Sequence, residues 1–262
     1  MMQFNDDFRG KRVVVTGAAG IFGGWIAAAF GRAGAILCLS DTRGDLLPAL
    51  VDRLGLDPAV TLCHATELTS SGSIRELAAL VAAEWGAPDI VVNNAGIYPR
   101  TGELLYLAEE EFDRIMSVNV RAPFLVTQAM AKLMIAERVA GAIVNIGSGA
   151  ARQMPTGSVT YCVSKTALDR LSKGQALELA PHKIRVNVVE PGFAPGSDFS
   201  YLPPEYVDRM IARIPLARTS GPDDTAGAVM FLCSPAAGFI TGTAIAVDGG
   251  NSIGTHQPAT NS

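Results

Sequence analysis

The chain has 262 residues, 48% of them hydrophobic, with a formal net charge of −4 and a sequence pI near 5.4. That is material for one large α/β domain, and with no block of like charge it argues against a nucleic-acid or anionic-membrane surface. No run of 18 apolar residues is present and MMQFNDDFRGKR at the start has no secretory apolar region, so a cytoplasmic chain with no membrane span is expected.

In chain order, short β-branched runs alternate with longer segments of helical period. RVVVT (12–16) reads as a strand, followed by a helix opening near Ile21 and a second strand, AILCLS (35–40). VTLC (60–63) precedes a helix that puts Ile74, Leu77, Val81 and Trp85 on one face. Next come the strand DIVVN (89–93), a helical stretch over about 109–136 and the strand AIVNI (142–146). A helix over about 158–180 leads to the strand IRVNVV (184–189). The loop PGFAPGSDFSYLPPEY (191–206) is too proline-rich for a strand or helix core and reads as a lid over a substrate. A helix over about 222–232 and the strand AIAV (244–247) follow, and the polar tail THQPATNS (255–262) is expected to fray.

Nearly continuous apolar strands are expected where helices cover both faces of a sheet. The alternation therefore predicts right-handed βαβ units and a doubly wound parallel sheet of about seven strands within a single domain. The four cysteines (Cys38, Cys63, Cys162, Cys233) form no C-x-x-C pair, and Cys38 and Cys63, in strand runs, are expected to be buried and reduced. His64, His182 and His256 are isolated, and no metal site is expected.

The stretch VVVTGAAGIFGGW (13–25) sets Gly17, Gly20 and Gly23 three apart, with Gly24 directly after, between the first strand and the first helix. Glycine there permits positive φ and lets backbone approach a pyrophosphate, whose charge the free N–H groups of the helix start favour. A tight turn with no ligand would use the same residues. Asp41 lies eighteen residues beyond Gly23 at the end of the second strand, close to the interval of about 20 for the acid that binds a cofactor ribose. A carboxylate there accepts from both ribose hydroxyls and repels a 2′-phosphate. Arg43 could meet such a phosphate or serve as a solvated loop charge.

YCVSK puts Tyr161 and Lys165 at i and i+4 on one helix face. A phenol of ordinary pKa about 10 is a poor acid or base near neutrality, and a neighbouring ammonium is expected to lower it. Ser148 ends the strand AIVNIGS at the crevice side, and Asn119 in MSVNV is a polar residue in mid-helix.

With these residues in place the chain resembles the short-chain dehydrogenase/reductase family, in its shorter single-domain branch, over about residues 8–253. The resemblance rests on TGAAGIFG (16–23), Asp41, NNAG (93–96), Asn119, Ser148, Tyr161, Lys165, Pro191-Gly192 and ITGTAIAVDGG (240–250). It implies a Rossmann fold and an NAD-dependent alcohol dehydrogenase or ketone reductase. Tyr161 would be the proton donor or acceptor, Ser148 would hold the substrate oxygen, Lys165 would bind the nicotinamide ribose and tune Tyr161, and Asn119 would keep a water-linked proton path. The cofactor would lie along Gly17, Gly20, Ile21, Phe22, Gly23, Asp41, Glu67, Leu68, Asn93, Asn94, Ala95, Gly96, Tyr161, Lys165, Pro191, Gly192 and Phe193. The sequence departs from the family at Ile21, where glycine is usual, at Glu67, where Asp is frequent, and at Gly196 and Ser197, where a Thr is usual.

Ser148, Ala150, Met154, Cys162, Phe193, Phe199 and Tyr201 suggest a largely apolar substrate pocket around Tyr161, suited to aromatic or medium-chain aliphatic substrates. Arg152 reads as a surface arginine or the partner of a substrate carboxylate. The resemblance also implies a homotetramer, with the helices around 109–136 and 158–180 pairing across subunits. An NADPH-linked 3-oxoacyl-carrier-protein reductase and a non-catalytic dinucleotide sensor are the alternatives.

Overall fold

The computed structural model describes residues 7–99, 102–196 and 202–254. Ser197, Phe199, Tyr201, His256 and the tail from 255 lie outside the described residues. Seven strands form one parallel sheet in the order β3-β2-β1-β4-β5-β6-β7. They are β1 (Arg12–Thr16), β2 (Ile36–Asp41), β3 (Thr61–Ala65), β4 (Ile90–Asn93), β5 (Ala142–Ile146), β6 (Arg185–Pro191) and β7 (Ala244–Val247). The order reverses between β1 and β4, and the crevice beyond the carboxyl ends of these two strands is where a doubly wound sheet takes its ligand.

Side chains alternate between the sheet's two faces, and both faces are dry. Val13, Val15, Leu37, Leu39 and Val144 pack under α1 (Ile21–Arg32), α2 (Leu47–Arg53) and α8 (Pro222–Cys233). Val14, Cys38, Val91 and Ile143 pack under α3 (Ser71–Trp85), α5 (Ala122–Ala136) and α6 (Val159–Leu179). Each such side chain contributes roughly 1.5–3 kcal/mol by burial, which is why the strands read as unbroken apolar runs. On α3, Ile74, Leu77 and Val81 are buried and Trp85 packs against them half-buried, as their spacing predicts.

The structure adds to the expected elements and corrects some of them. Helix α2 was not expected, although Leu47, Leu50 and Val51 have helical spacing; Pro48 sits in its first turn, where proline costs no hydrogen bond. A further helix, α7 (Pro204–Ile211), begins inside the stretch expected to be a loop, again on a proline at its start. The helical stretch over 109–136 is α4 (Glu109–Met116), a π-helical turn (Ser117–Arg121) and α5. Cys63, expected to be buried, is exposed, because β3 is the sheet's edge and is only partly covered along its length. Among the described residues no helix is long and apolar enough to cross a membrane.

Candidate active site

The glycines of the first turn serve different ends. Gly17 has φ +63, and a Cβ on it would stand 2.7 Å from Ala95 Cα. A Cβ on Gly23 would stand 2.2 Å from Gly17 O. Both glycines are needed because backbone packs on backbone there. At Gly20 a Cβ would meet nothing nearer than Gly17 O at 3.3 Å, and this residue opens α1 with no side-chain cap. It lines a cavity of about 850 Å³ together with Gly17, Ile21 and Phe22. An uncapped helix start facing a cavity of this size fits a dinucleotide's phosphates.

Asp41, Arg43, Glu67, Leu68, Asn94, Ala95 and Gly96 line the same cavity. Asp41 is nearly buried; its Oδ2 accepts from Ala19 N at 3.0 Å, which ties the end of β2 to the glycine turn. Its Oδ1 accepts from Arg43 N at 3.1 Å and Arg43 Nε at 3.2 Å. Arg43 is thus a partner of Asp41 at the ribose end, and a bound 2′-phosphate would face both charges. Glu67 Oε1 accepts from the N–H and hydroxyl of Thr69, so its carboxylate shapes its own loop. Asn94 Nδ2 donates to Thr16 O at 3.0 Å and Gly17 O at 2.9 Å, bracing the turn. Asn93, expected along the cofactor, is corrected: it points into the core, where Nδ2 donates to Thr127 Oγ1 and Asn145 Oδ1.

Next to this cavity lies a smaller one of about 240 Å³, sharing Phe22, Asn94, Gly96, Ile97 and Tyr98 with it. Ile146, Gly147, Ser148, Tyr161, Lys165, Pro191 and Gly192 complete its lining. Residues from β5, α6 and β6, far apart in sequence, meet here because all three elements present this end to the crevice. Lys165 Nζ donates to Ile146 O at 2.8 Å and stands 5.8 Å from the centre of the Tyr161 ring. Ser148 Oγ accepts from Ala150 N at 3.1 Å.

Asn119 sits in the π-helical turn, a local widening common at functional sites. Fully buried, it accepts from Ile97 N at 2.9 Å and donates to Ile97 O and to Ser164 Oγ, both at 3.0 Å. Ser164 Oγ in turn donates to Tyr161 O at 2.7 Å. Glycine at 96 keeps the space between Asn119 and Lys165 clear, since a Cβ there would stand 3.5 Å from Asn119 Oδ1 and 3.3 Å from Nζ.

Burial lowers the Lys165 ammonium to about 8. Burial also pushes the Tyr161 phenol up; a hydrogen bond with Ser148 opposes this, and Tyr98 adds to it. The expected lowering of Tyr161 by Lys165 is therefore not found in the chain itself. Desolvation of the phenolate outweighs its polar neighbours.

The substrate side differs from expectation. Ser148 and Tyr161 line the smaller cavity, whereas Ala150, Met154, Cys162 and Phe193 do not. Met154 is 59% exposed, Cys162 is buried in the packing of α6, and Phe193 meets Tyr206 edge to face with ring centres 6.2 Å apart. Gly196 has φ +89, a backbone conformation that a Thr would adopt only with strain. Arg152 is the exposed surface arginine expected, and it pairs with the buried Glu190 at 2.5 Å. Tyr98 was missed: its ring centre lies 4.4 Å from that of Tyr161, and its hydroxyl lies 3.1 Å from Ser158 Oγ. Its place two residues past Asn-Asn-Ala-Gly, at the crevice end of β4, was the available signal. A third cavity of about 790 Å³, with Lys11, Asp89, Ile184 and Phe239 in its lining, lies at the opposite, amino ends of the strands.

The chain is similar to known proteins over almost its whole length. A family model described as enoyl-(acyl carrier protein) reductase matches residues 17–252. D-erythrulose reductase of Gallus gallus is 37% identical over 246 residues, covering 93% of this chain and 96% of its own. The crystal structure of a short-chain type dehydrogenase/reductase from Mycobacterium marinum is 32% identical, with a TM-score of 0.84 over 95% of this chain and 98% of that one. The 3-ketoacyl-(acyl-carrier-protein) reductase of Brucella melitensis, solved with NADH, is also 32% identical, with a TM-score of 0.83 over 93% of this chain and 99% of that one.

Proposed function

The chain belongs to the short-chain dehydrogenase/reductase family, an oxidoreductase of alcohols and ketones, and we propose that it uses NAD(H) to interconvert a secondary alcohol and a ketone. The observation that carries this reading is the meeting of Ser148, Tyr161 and Lys165 in one small cavity that adjoins the glycine-turn cavity. The bound dinucleotide supplies the carbon that gives or takes the hydride. Gly17, Gly20, Ile21, Phe22 and Gly23 would hold its phosphates, Asp41 its ribose hydroxyls, and Glu67 with Leu68 its adenine end. Asn94, Ala95, Gly96, Pro191, Gly192 and Phe193 would hold the nicotinamide half.

Tyr161 gives the substrate oxygen a proton in reduction and takes it back in oxidation. Its phenol is held up by burial, so the protonated form needed for reduction prevails near neutrality, and oxidation gains as pH rises. Ser148 holds the substrate oxygen beside that phenol. Lys165, fixed by Ile146 O, would hold a ribose hydroxyl and pass protons onward. Asn119 keeps the π-helical turn and the clear space beside Gly96 through which water would reach Lys165. Tyr98 would wall the substrate side in place of Met154.

A panel of secondary alcohols and ketones, including small hydroxyketones, assayed with NAD(H) and NADP(H), tests the proposal; no turnover with any pair would refute it. NADPH-linked reduction of carrier-bound 3-oxoacyl groups is a second reading, favoured by the contact of Arg43 with Asp41 at the ribose end. We further propose one cytoplasmic domain and a homotetramer built through the helices over 109–136 and 158–180. Exposed Phe124 on α5 and exposed Val163 and Leu177 on α6 support that assembly.

A further inference from the structure

We infer that Arg152 and Glu190 form a positioning pair that fixes Ser148 in the loop facing Tyr161, an inference that rests on the oxidoreductase reading above. Glu190 lies on β6 directly before Pro191, and its side chain is 3% exposed. It meets the Ser148 loop on both sides. Before Ser148, Gly147 lies so close that a Cβ on it would stand 3.0 Å from Glu190 Cγ, and Gly147 N donates to Val189 O at 2.7 Å. After Ser148, Arg152 Nη2 stands 2.5 Å from Glu190 Oε2. The catalytic hydroxyl therefore belongs to a short loop held at one end by the backbone of β6 beside Glu190 and at the other by the Glu190 carboxylate.

The same loop is tied to the segment after β7. Arg152 Nη2 donates to Ser252 Oγ at 2.8 Å, and Gln153 Nε2 donates to Asn251 O at 2.8 Å. Ser252 N donates to Asp248 Oδ2 at 2.9 Å. These contacts explain why Arg152 stays over Glu190 although its own side chain is 43% exposed.

A buried carboxylate is costly unless a cation compensates it, and removing the cation leaves the cost behind. The charged groups around Glu190 are Arg152 from the loop, Asp169 on α6 and Asp248 after β7; Asp169 itself binds Lys173. Burial, joined by the two aspartates, pushes the Glu190 carboxyl up, and Arg152 opposes that rise without cancelling it. Without Arg152 the charged carboxylate would draw in water or displace the loop, and Ser148 would lose its alignment with the phenol. As pH rises and Glu190 charges, that displacement would grow.

The test compares wild type, Arg152→Met and Arg152→Met/Glu190→Gln, with kcat, KM, cofactor affinity and the pH dependence of kcat as readouts. Arg152→Met is expected to lower kcat about tenfold, in line with the cost of small misplacements at an active site, while cofactor affinity is unchanged. The loss should deepen as pH rises. Replacing the carboxylate as well should return kcat to within about threefold of wild type and flatten the profile. Should Arg152→Met fail to fold, Arg152→Lys gives the same comparison, with a smaller loss that Glu190→Gln again relieves. A lowered melting temperature with wild-type kcat and pH profile, or a double variant as slow as the single one, would overturn the inference and leave the oxidoreductase reading standing. A wild type inert on the whole panel overturns both.

Discussion

Replacing Lys165 with methionine should abolish turnover and yet stabilise the protein at neutral pH. Burial holds the Lys165 ammonium at about 8 instead of its ordinary 10.5. At about 1.4 kcal/mol per pKa unit, the fold bears roughly 3 kcal/mol to keep this group charged below pH 8. Methionine fills much of the same space without a charge to desolvate. It leaves Ile146 O, which accepts from Nζ at 2.8 Å, without that donor, at a cost of about 1–3 kcal/mol. The balance is a gain of about 1 kcal/mol, or roughly 2–4 °C in Tm for a chain of this length. The pH dependence is the sharper sign. The unfolded lysine keeps its proton up to about 10.5 and the folded one only up to about 8. Wild-type stability therefore rises with pH between these values, and the variant's advantage of about 1 kcal/mol, full below about 8, is lost within about one pH unit above it and becomes a deficit of about 2 kcal/mol by about 10.5. Thermal or urea unfolding of both proteins from pH 7 to 10.5, without cofactor and at one protein concentration, reads the difference directly and cancels all other titrations. A difference that stays flat across this range would refute the reasoning.

Three further outcomes are expected. Tyr161→Phe should lower kcat by at least ~10²–10⁴-fold while cofactor still binds, as measured by steady-state kinetics and cofactor titration, and Ser148→Ala should also be severe. Either variant keeping half of wild-type kcat would contradict the assigned chemistry. Gly20→Val should weaken NAD binding strongly, because its side chain would enter the cavity, whereas Ile21→Gly should change the affinity little; calorimetry on both variants decides this. Wild type should prefer NAD(H) over NADP(H) by roughly a hundredfold or more in kcat/KM, and Asp41→Ser should shift use toward NADP(H), all the more with Arg43 left facing the phosphate. Equal wild-type use of the two cofactors would count against the role given to Asp41.

The sequence by itself was enough for most of what depends on local period and short spacing. Seven apolar runs separated by helical stretches implied a doubly wound parallel sheet. The glycine turn before Ile21, Asp41 at a strand end, and Tyr161 with Lys165 one helical turn apart are local patterns, and the fold places all of them at the crevice. Short helices opening on proline, α2 and α7, escaped because proline normally marks a break. Only tertiary structure could separate Asn93 from Asn94: the first turns into the core under α5, while the second leaves the strand toward the glycine turn. The π-helical turn exists where Asn119 binds Ile97, a partner 22 positions away. The pairing of Arg152 with Glu190, and the upward shift of Tyr161, depend on which groups packing deprives of water. Period and spacing are properties of neighbours along the chain, but desolvation and charge pairing arise only where distant segments close over one another.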